Sequence, residues 1–224
     1  MPIWMLLIGA VFYQGMLAGG VPIKFASWHT HQHVPTGSQT ILTIQERARS
    51  VKSAFAVIRK RADLDSTNLQ RDPYWSYPGV ATAATGANTY WTERTGALDE
   101  FQWRIGGRYF PSQPVKCLNG GAEPLMELTK ALNVLGDYSI GAAVSPQTWF
   151  KPRGVFTIAT EFESTNGMEL SGINAEELAD LALVLKLYGN VSFSGADTDL
   201  YVNTFIHYDS MLIIRPNNVV ELIQ

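Results

Sequence analysis

Phe101, Trp103 and Ile105 are separated by the polar residues Gln102 and Arg104, the period of two that sends successive side chains to opposite faces of a strand. The same alternation sets Phe156, Ile158 and Phe162 against Thr157, Glu161 and Glu163. Leu181, Leu183, Leu185 and Leu187 alternate as well and predict a strand over 182–188, although Asn174 ahead of Glu176 and Glu177 could cap a helix there instead. Ile23–Trp28 and Ile41–Ile44 read as short strands, the first running into a polar loop through Pro35–Ser38. Tyr201–Ile214 and Val219–Ile223 flank Arg215-Pro216-Asn217-Asn218, a hairpin with turn-forming residues at its tip. Between Val51 and Ile58 the period does not decide: Val51, Phe55 and Ile58 suit a helix, whereas Ser53, Phe55 and Val57 suit a strand. Helical spacing is clear once. Leu125, Leu128, Leu132 and Leu135 line one face, Glu123 and Pro124 open the helix, and Gly136 is placed to end it.

Strands in series, without regularly interposed helices, predict an all-β fold: an antiparallel β-sandwich of the jelly-roll type with long loops and one short helix at about 123–135. Gly106-Gly107 permits a bulge or tight turn between two strands. The stretch from Arg61 to Gly96 is rich in Asp, Asn, Thr, Ser, Tyr and Gly, and a loop of that length in a compact domain is usually functional or part of an interface. No charged side chain precedes Lys24, and Ile3–Ile8 and Ala10–Phe12 are strongly apolar. Gly9, Gly15, Gly19 and Gly20 break that run, so it reads as buried strands clipped at their start, with a signal peptide or anchor as the other reading.

Composition narrows the class. Of 224 residues, 46% are hydrophobic and only 17% charged, which excludes a disordered or coiled-coil chain. The net charge of −3 argues against a protein whose main task is coating nucleic acid. Cys117 is the single cysteine, so the chain can form neither an internal disulfide nor a cysteine-based zinc site, and it reads as a buried structural thiol.

Candidate chemistry is sparse. His29, His31 and His33 fall on one side of an extended segment and are the residues that could ligate a transition metal, as in a cupin-like metal-dependent enzyme. A cupin places a glutamate shortly after its His-x-His pair; here Val34-Pro35-Thr36-Gly37 follows and Glu46 is the first acid. Arg47, Arg49, Lys52, Arg59, Lys60 and Arg61 form a basic run suited to phosphate or to a solvated face, with no interleaved aromatic side chains of the nucleic-acid kind. Glu161 with Glu163 and Asp197 with Asp199 are paired acids of a spacing that exposed strands and turns also carry. The glycine pairs lack the context of a dinucleotide site, and no nucleophile elbow, phosphate loop or zinc-protease helix occurs. No cofactor and no catalytic set is therefore expected. A secreted or anchored β-sandwich binding module is a further reading.

Four segments carry a resemblance. Ile44–Phe55 is similar to the segment of double jelly-roll major capsid proteins in which a basic piece feeds a strand. Glu100–Val115 resembles their strand ending in a Tyr-x-Pro-x-x-Pro turn, here Tyr109, Pro111 and Pro114. The helix and the C-terminal segment Tyr208–Ile214 follow in the expected order. The likeness is to capsid proteins of polinton-like viruses and adintoviruses within the adenovirus and PRD1 lineage, and spans roughly residues 40–224. It implies a non-enzymatic structural protein of the virion capsid, built inside the host cell as pseudo-hexagonal trimers that tile an icosahedral shell. Its partners would be copies of itself, neighbouring capsomers, and penton-type and minor capsid proteins; contact with an internal membrane is left open. Such proteins carry two barrels, and this chain is too short for both. The expected organisation is residues 1–39 as a remnant of a preceding jelly roll or the start of the sandwich, and 40–224 as the jelly-roll domain. Tyr74, Trp75, Tyr77, Tyr90 and Trp91 in the long loop are candidate subunit-interface anchors.

Overall fold

A computed structural model of the chain describes residues 20–60, 80–81, 94–95, 98–117, 122–134, 157–163, 172–178, 181–187, 200–215 and 219–223. In chain order the elements are β1 (Val21–His33), β2 (Gln39–Ile44), β3 (Val51–Lys60), β4 (Val80–Ala81), β5 (Arg94–Thr95), β6 (Leu98–Ile105) and β7 (Arg108–Lys116). Helix α1 (Ala122–Val134), β8 (Ile158–Glu161), the single turn α2 (Ala175–Leu178), β9 (Leu181–Leu187), β10 (Leu200–Arg215) and β11 (Val219–Ile223) complete them. None of the described helices is long and apolar enough to cross a membrane.

Eight strands form two antiparallel sheets in the orders β1-β10-β3-β8 and β2-β9-β6-β7, with β11 beside the far end of β10 and β4 paired with β5 apart from both. The pairs are nested: β1 with β10, β2 with β9, β3 with β8, β6 with β7. A long hairpin rolled up so that its arms alternate between two facing sheets gives this order, and that is the jelly-roll topology. The antiparallel jelly-roll sandwich expected from the alternation is thus the observed fold.

The core lies between the sheets. Trp103, Phe101, Ile105 and Leu183 reach in from one side and Ile58, Ile206 and Tyr208 from the other, all essentially without exposure. Strand β3 is central in its sheet and is buried on both faces, Ala54, Ala56 and Ile58 inward and Ser53 and Phe55 outward. Helix α1 covers the outer side of β8 and β3 through Leu128 and Ala131. That settles the ambiguous stretch 51–58 as strand, and explains why its period was blurred. Glu123 holds the start of α1 to β7 by accepting the Lys116 backbone N–H at 3.0 Å.

Several sequence expectations change. Strand β1 continues past Trp28 to His33, so the three histidines lie in a strand paired with β10 and not in a polar loop. Residues 174–187 contain both alternatives in succession: Asn174 Oδ1 accepts the Glu176 N–H at 3.1 Å to cap α2, and β9 starts at Leu181. Residues Tyr109–Pro114 lie within β7 and do not end it. The ladder there is interrupted, however: Phe101 pairs with Val115 and Trp103 with Phe110, leaving residues 111–114 opposite Gln102 alone. The Gln102 amide fills the gap by donating to the Pro111 carbonyl at 2.7 Å. Because β7 is the edge of its sheet, prolines there remove no ladder bond to a further strand. Gly106 and Gly107, at φ +55° and +79°, make the two-residue turn between Ile105 and Arg108.

Candidate functional site

The histidine strand faces inward at the open edge of the sandwich. His29, His31 and His33 alternate with exposed residues and share the side of β1 that also meets Ile206 and Thr204 of β10. Sequence distance hid their partner. After β2 crosses to the opposite sheet, the chain bends back at Glu46, whose carboxylate lies 3.0 and 3.1 Å from His29 Nδ1 and 3.6 Å from His31 Nε2. The Glu46 side chain is 1% exposed and also accepts the backbone N–H groups of Arg47 and Ala48 at 2.9 and 3.0 Å. On the other side of the ring, His29 Nε2 is 2.7 Å from the Tyr208 hydroxyl. In the neutral ring the acceptor-only carboxylate takes the Nδ1–H, and Tyr208 donates to Nε2.

This arrangement commits His29 to holding a carboxylate, while His31 Nε2 and His33 Nε2 are buried without a hydrogen-bond partner among the described residues. Both His29 nitrogens are spent, one on Glu46 and one on Tyr208, so His29 offers no lone pair to an ion. Among the described residues no group of three His, Cys, Asp or Glu side chains is placed to hold a metal. The network instead fastens the edge strand β1 to the bend after β2, closing one seam between the two sheets. Burial first, and the neighbouring His31 second, lower the pKa of His33. The sequence signal for Glu46 was present, as the first acid after three histidines; what was missing was the return of the chain.

A second polar cluster sits on β3 and β10. Lys52 Nζ lies 3.2 Å from Asp209 Oδ1 and 3.5 Å from Glu163 Oε1, with all three side chains nearly buried. Ser50 Oγ donates to Asp209 Oδ2 at 3.3 Å. Next to it the His207 ring lies under Trp28, centroids 4.7 Å apart, with Nδ1 3.4 Å from Ser53 Oγ. Burial is the main reason the His207 pKa falls below 6.5, and the Lys52 charge adds to it against the opposing pull of Asp209 and Glu163.

That shift has a sign. A histidine whose folded pKa is depressed leaves the unfolded chain to take up the proton first, so its stability contribution is intact above pH 6.5 and is lost as pH falls below it toward the folded value. His33 acts in the same direction. The melting temperature is expected to fall between pH 7 and pH 5, and His207→Gln to flatten that fall. Thermal melts across this range check it; an unchanged slope in the variant would show that His207 is not responsible.

The other candidates are dispersed. Glu161 is half-buried beside α1, its pKa raised by burial and then by Glu163, whereas Glu163 turns to Lys52; the two acids do not form a pair for catalysis. Of the basic run, Arg61 and the side chains of Arg59 and Lys60 lie outside the described residues, and the other three do not share one patch. Lys52 is internal, Arg49 pairs with Glu176 at the surface, and Arg47 is exposed. Cys117 is buried, and burial, with Asp99, Glu123 and Glu100 nearby, pushes its thiol pKa up, away from the reactive thiolate. Tyr74, Trp75, Tyr77, Tyr90, Trp91, Asp197 and Asp199 lie outside the described residues. The outer face of the β2-β9-β6-β7 sheet carries a shallow depression of about 410 Å³ beside Ile41, Gln102 and Lys186; Lys186 is neutralised by Asp99 and Glu100.

No protein-family model matches the chain, and no curated protein matches it by sequence. Solved structures do match. VP54 of the virus PBCV-1, fitted into a reconstruction of the virophage Sputnik, is similar at a TM-score of 0.51 and 16% identity over 91% of this chain. The Faustovirus major capsid protein is similar at a TM-score of 0.50 and 10% identity, again over 91%. The chain spans 52% of the length of the first and 36% of the second. At these identities the likeness is one of fold, and it agrees with the nested strand order: the chain has the jelly-roll fold found in viral major capsid proteins.

Proposed function

We propose that this chain is a structural protein of a viral capsid, in which one complete jelly roll running from β1 to β11 acts as an assembly module without catalytic residues. The observation that carries the reading is the full set of nested pairs, eight strands in two sheets, in a chain similar over nine-tenths of its length to solved capsid proteins. Spanning 52% of the length of VP54 supports a finer reading, in which the jelly roll is one of two barrels of a double jelly-roll major capsid protein, and the sequence resemblance of residues 44–55 and 100–115 supports the polinton-like or adintovirus type. In that reading the protein forms trimeric capsomers, meets penton-type and minor capsid proteins in the virion shell, and uses no cofactor. Tyr74, Trp75, Tyr77, Tyr90 and Trp91 are the proposed anchors between subunits, because large aromatic side chains dominate the energetics of such interfaces.

Sedimentation tests it. The purified chain is expected to run as a trimer or larger assembly, and Trp75→Ala with Trp91→Ala to shift it toward monomer while leaving the far-UV spectrum unchanged. A chain that stays monomeric at high concentration overturns the assembly reading.

A further inference from the structure

The sheet β1-β10-β3-β8 does not stop where its partner sheet does. Strand β3 pairs with β10 only as far as Tyr208; beyond that, β10 runs on to Arg215 between the first half of β1 and the short strand β11. The extension is two-faced. On the face that continues the inner face of the sandwich stand Val21, Ile23, Phe25, Leu212, Ile214, Val220 and Leu222, with Ser210 at its boundary. The opposite face is mixed: Lys24 and the Arg215–Glu221 ion pair stand there among Pro22, Met211, Ile213, Val219 and Ile223, so the charge of the ribbon lies on that side. A core-type face is therefore prolonged past the core and left open: Ile23, Phe25, Val220 and Leu222 are 42, 43, 57 and 50% exposed. Contiguous apolar surface of this kind marks a contact.

The geometry points to the chain's own first nineteen residues as the occupant. Those residues carry no charged side chain, and fourteen of the nineteen are hydrophobic, so they match a face that has no charge to satisfy. They enter at the right place. Gly20 leads into β1 at the end of the ribbon, where β1 begins pairing at Val21 with Ile214. It lies so close to β10 that a Cβ would stand 2.8 Å from Ile213 Cγ2 and 3.0 Å from the Ile214 carbonyl oxygen. Its φ of +125° is open to glycine and closed to most side chains, which lets the chain change direction there. Three strands spaced about 4.8 Å apart make a ribbon that a few extended residues cross. A tethered segment also acts at an effective concentration near the millimolar range, ahead of any separate copy.

Carbene footprinting of the full chain, read residue by residue by mass spectrometry, tests this directly. Val34 and Ile41, 53 and 54% exposed, serve as internal references for Val220 and Leu222. Segment docking is expected to hold the labelling of Val220 and Leu222 about threefold below the references, equally at about 1 μM and at about 30 μM. Leu6→Asp with Ile8→Asp in the full chain is expected to raise it to the reference level, as is deletion of residues 2–19. Labelling equal to the references in the unaltered chain overturns the inference. So does protection lost on dilution, which would assign the face to a second copy, or protection that survives the charged variant.

Discussion

Trp103→Ala is expected to cost about 3–5 kcal/mol of folding stability, the range for removing a buried aromatic side chain from a close-packed core, and to lower the melting temperature by roughly 10 °C. The Trp103 side chain has no exposure. Its ring meets Phe162 edge to face, centroids 6.0 Å apart, and Phe162 meets Phe110 in the same manner at 5.8 Å. One residue therefore ties β6 to the end of β8 and, through it, to β7, and its loss empties the space between the two sheets. Trp103→Phe separates volume from polarity. The indole N–H is buried without an acceptor among the described residues, so removing it offsets part of the lost packing, and the expected cost is about 1–2 kcal/mol. Urea melts followed by circular dichroism, with midpoints compared at constant slope, measure both. An alanine variant within about 1 kcal/mol of the parent would place Trp103 outside the centre of the sandwich.

The legible parts of the sequence are those where one face of a strand is dry and the other wet. Residues 101–105 and 181–187 came near that condition: their inward side chains pack on the opposite sheet and Arg104, Val184 and Lys186 keep partial exposure on the other side, although Gln102 and Ala182 there are buried. Strand β3 did not, since α1 covers its outer face and Ser53 and Phe55 are buried along with Ala54 and Ala56. The histidines of β1 were legible as a set on one side of the chain but not as part of a strand, because β1 is an edge and its outward residues Thr30 and Gln32 are polar. Their use was illegible for another reason. Glu46 is seventeen residues from His29, and only the passage from one sheet to the other and back brings them together. Local spacing rules describe ligands on one strand or helix; they do not describe a seam closed between sheets.

The same limit applies to Lys52, which the sequence presents as one of a basic run and the fold takes inside. Breaking its contacts is expected to cost about 3–5 kcal/mol, because a buried charge that loses its partner keeps its desolvation cost. The bulge is the cause of its position: His207 pairs with Ser53 and Tyr208 with Val51, so Lys52 is the extra residue, turned out of the ladder toward Glu163 and Asp209. Its own carbonyl accepts the Phe162 N–H at 2.7 Å, and the Asp209 N–H donates to the Ser50 carbonyl at 3.0 Å, so the ion cluster and the backbone of β3, β10 and the end of β8 support each other. Lys52→Met keeps the apolar stem and removes the charge, leaving two carboxylates in one desolvated site. Adding Glu163→Gln removes one of them and is expected to recover a large part of the loss, a coupling that a double-mutant cycle reads directly. Arg49→Ala is the control. Its pair with Glu176 is shorter, at 2.6 Å, yet both side chains are about half exposed, and such pairs contribute about 1 kcal/mol or less. Burial, not distance, sets the order of these two effects; a Lys52→Met variant no less stable than Arg49→Ala would mean that water reaches the bulge and screens the cluster.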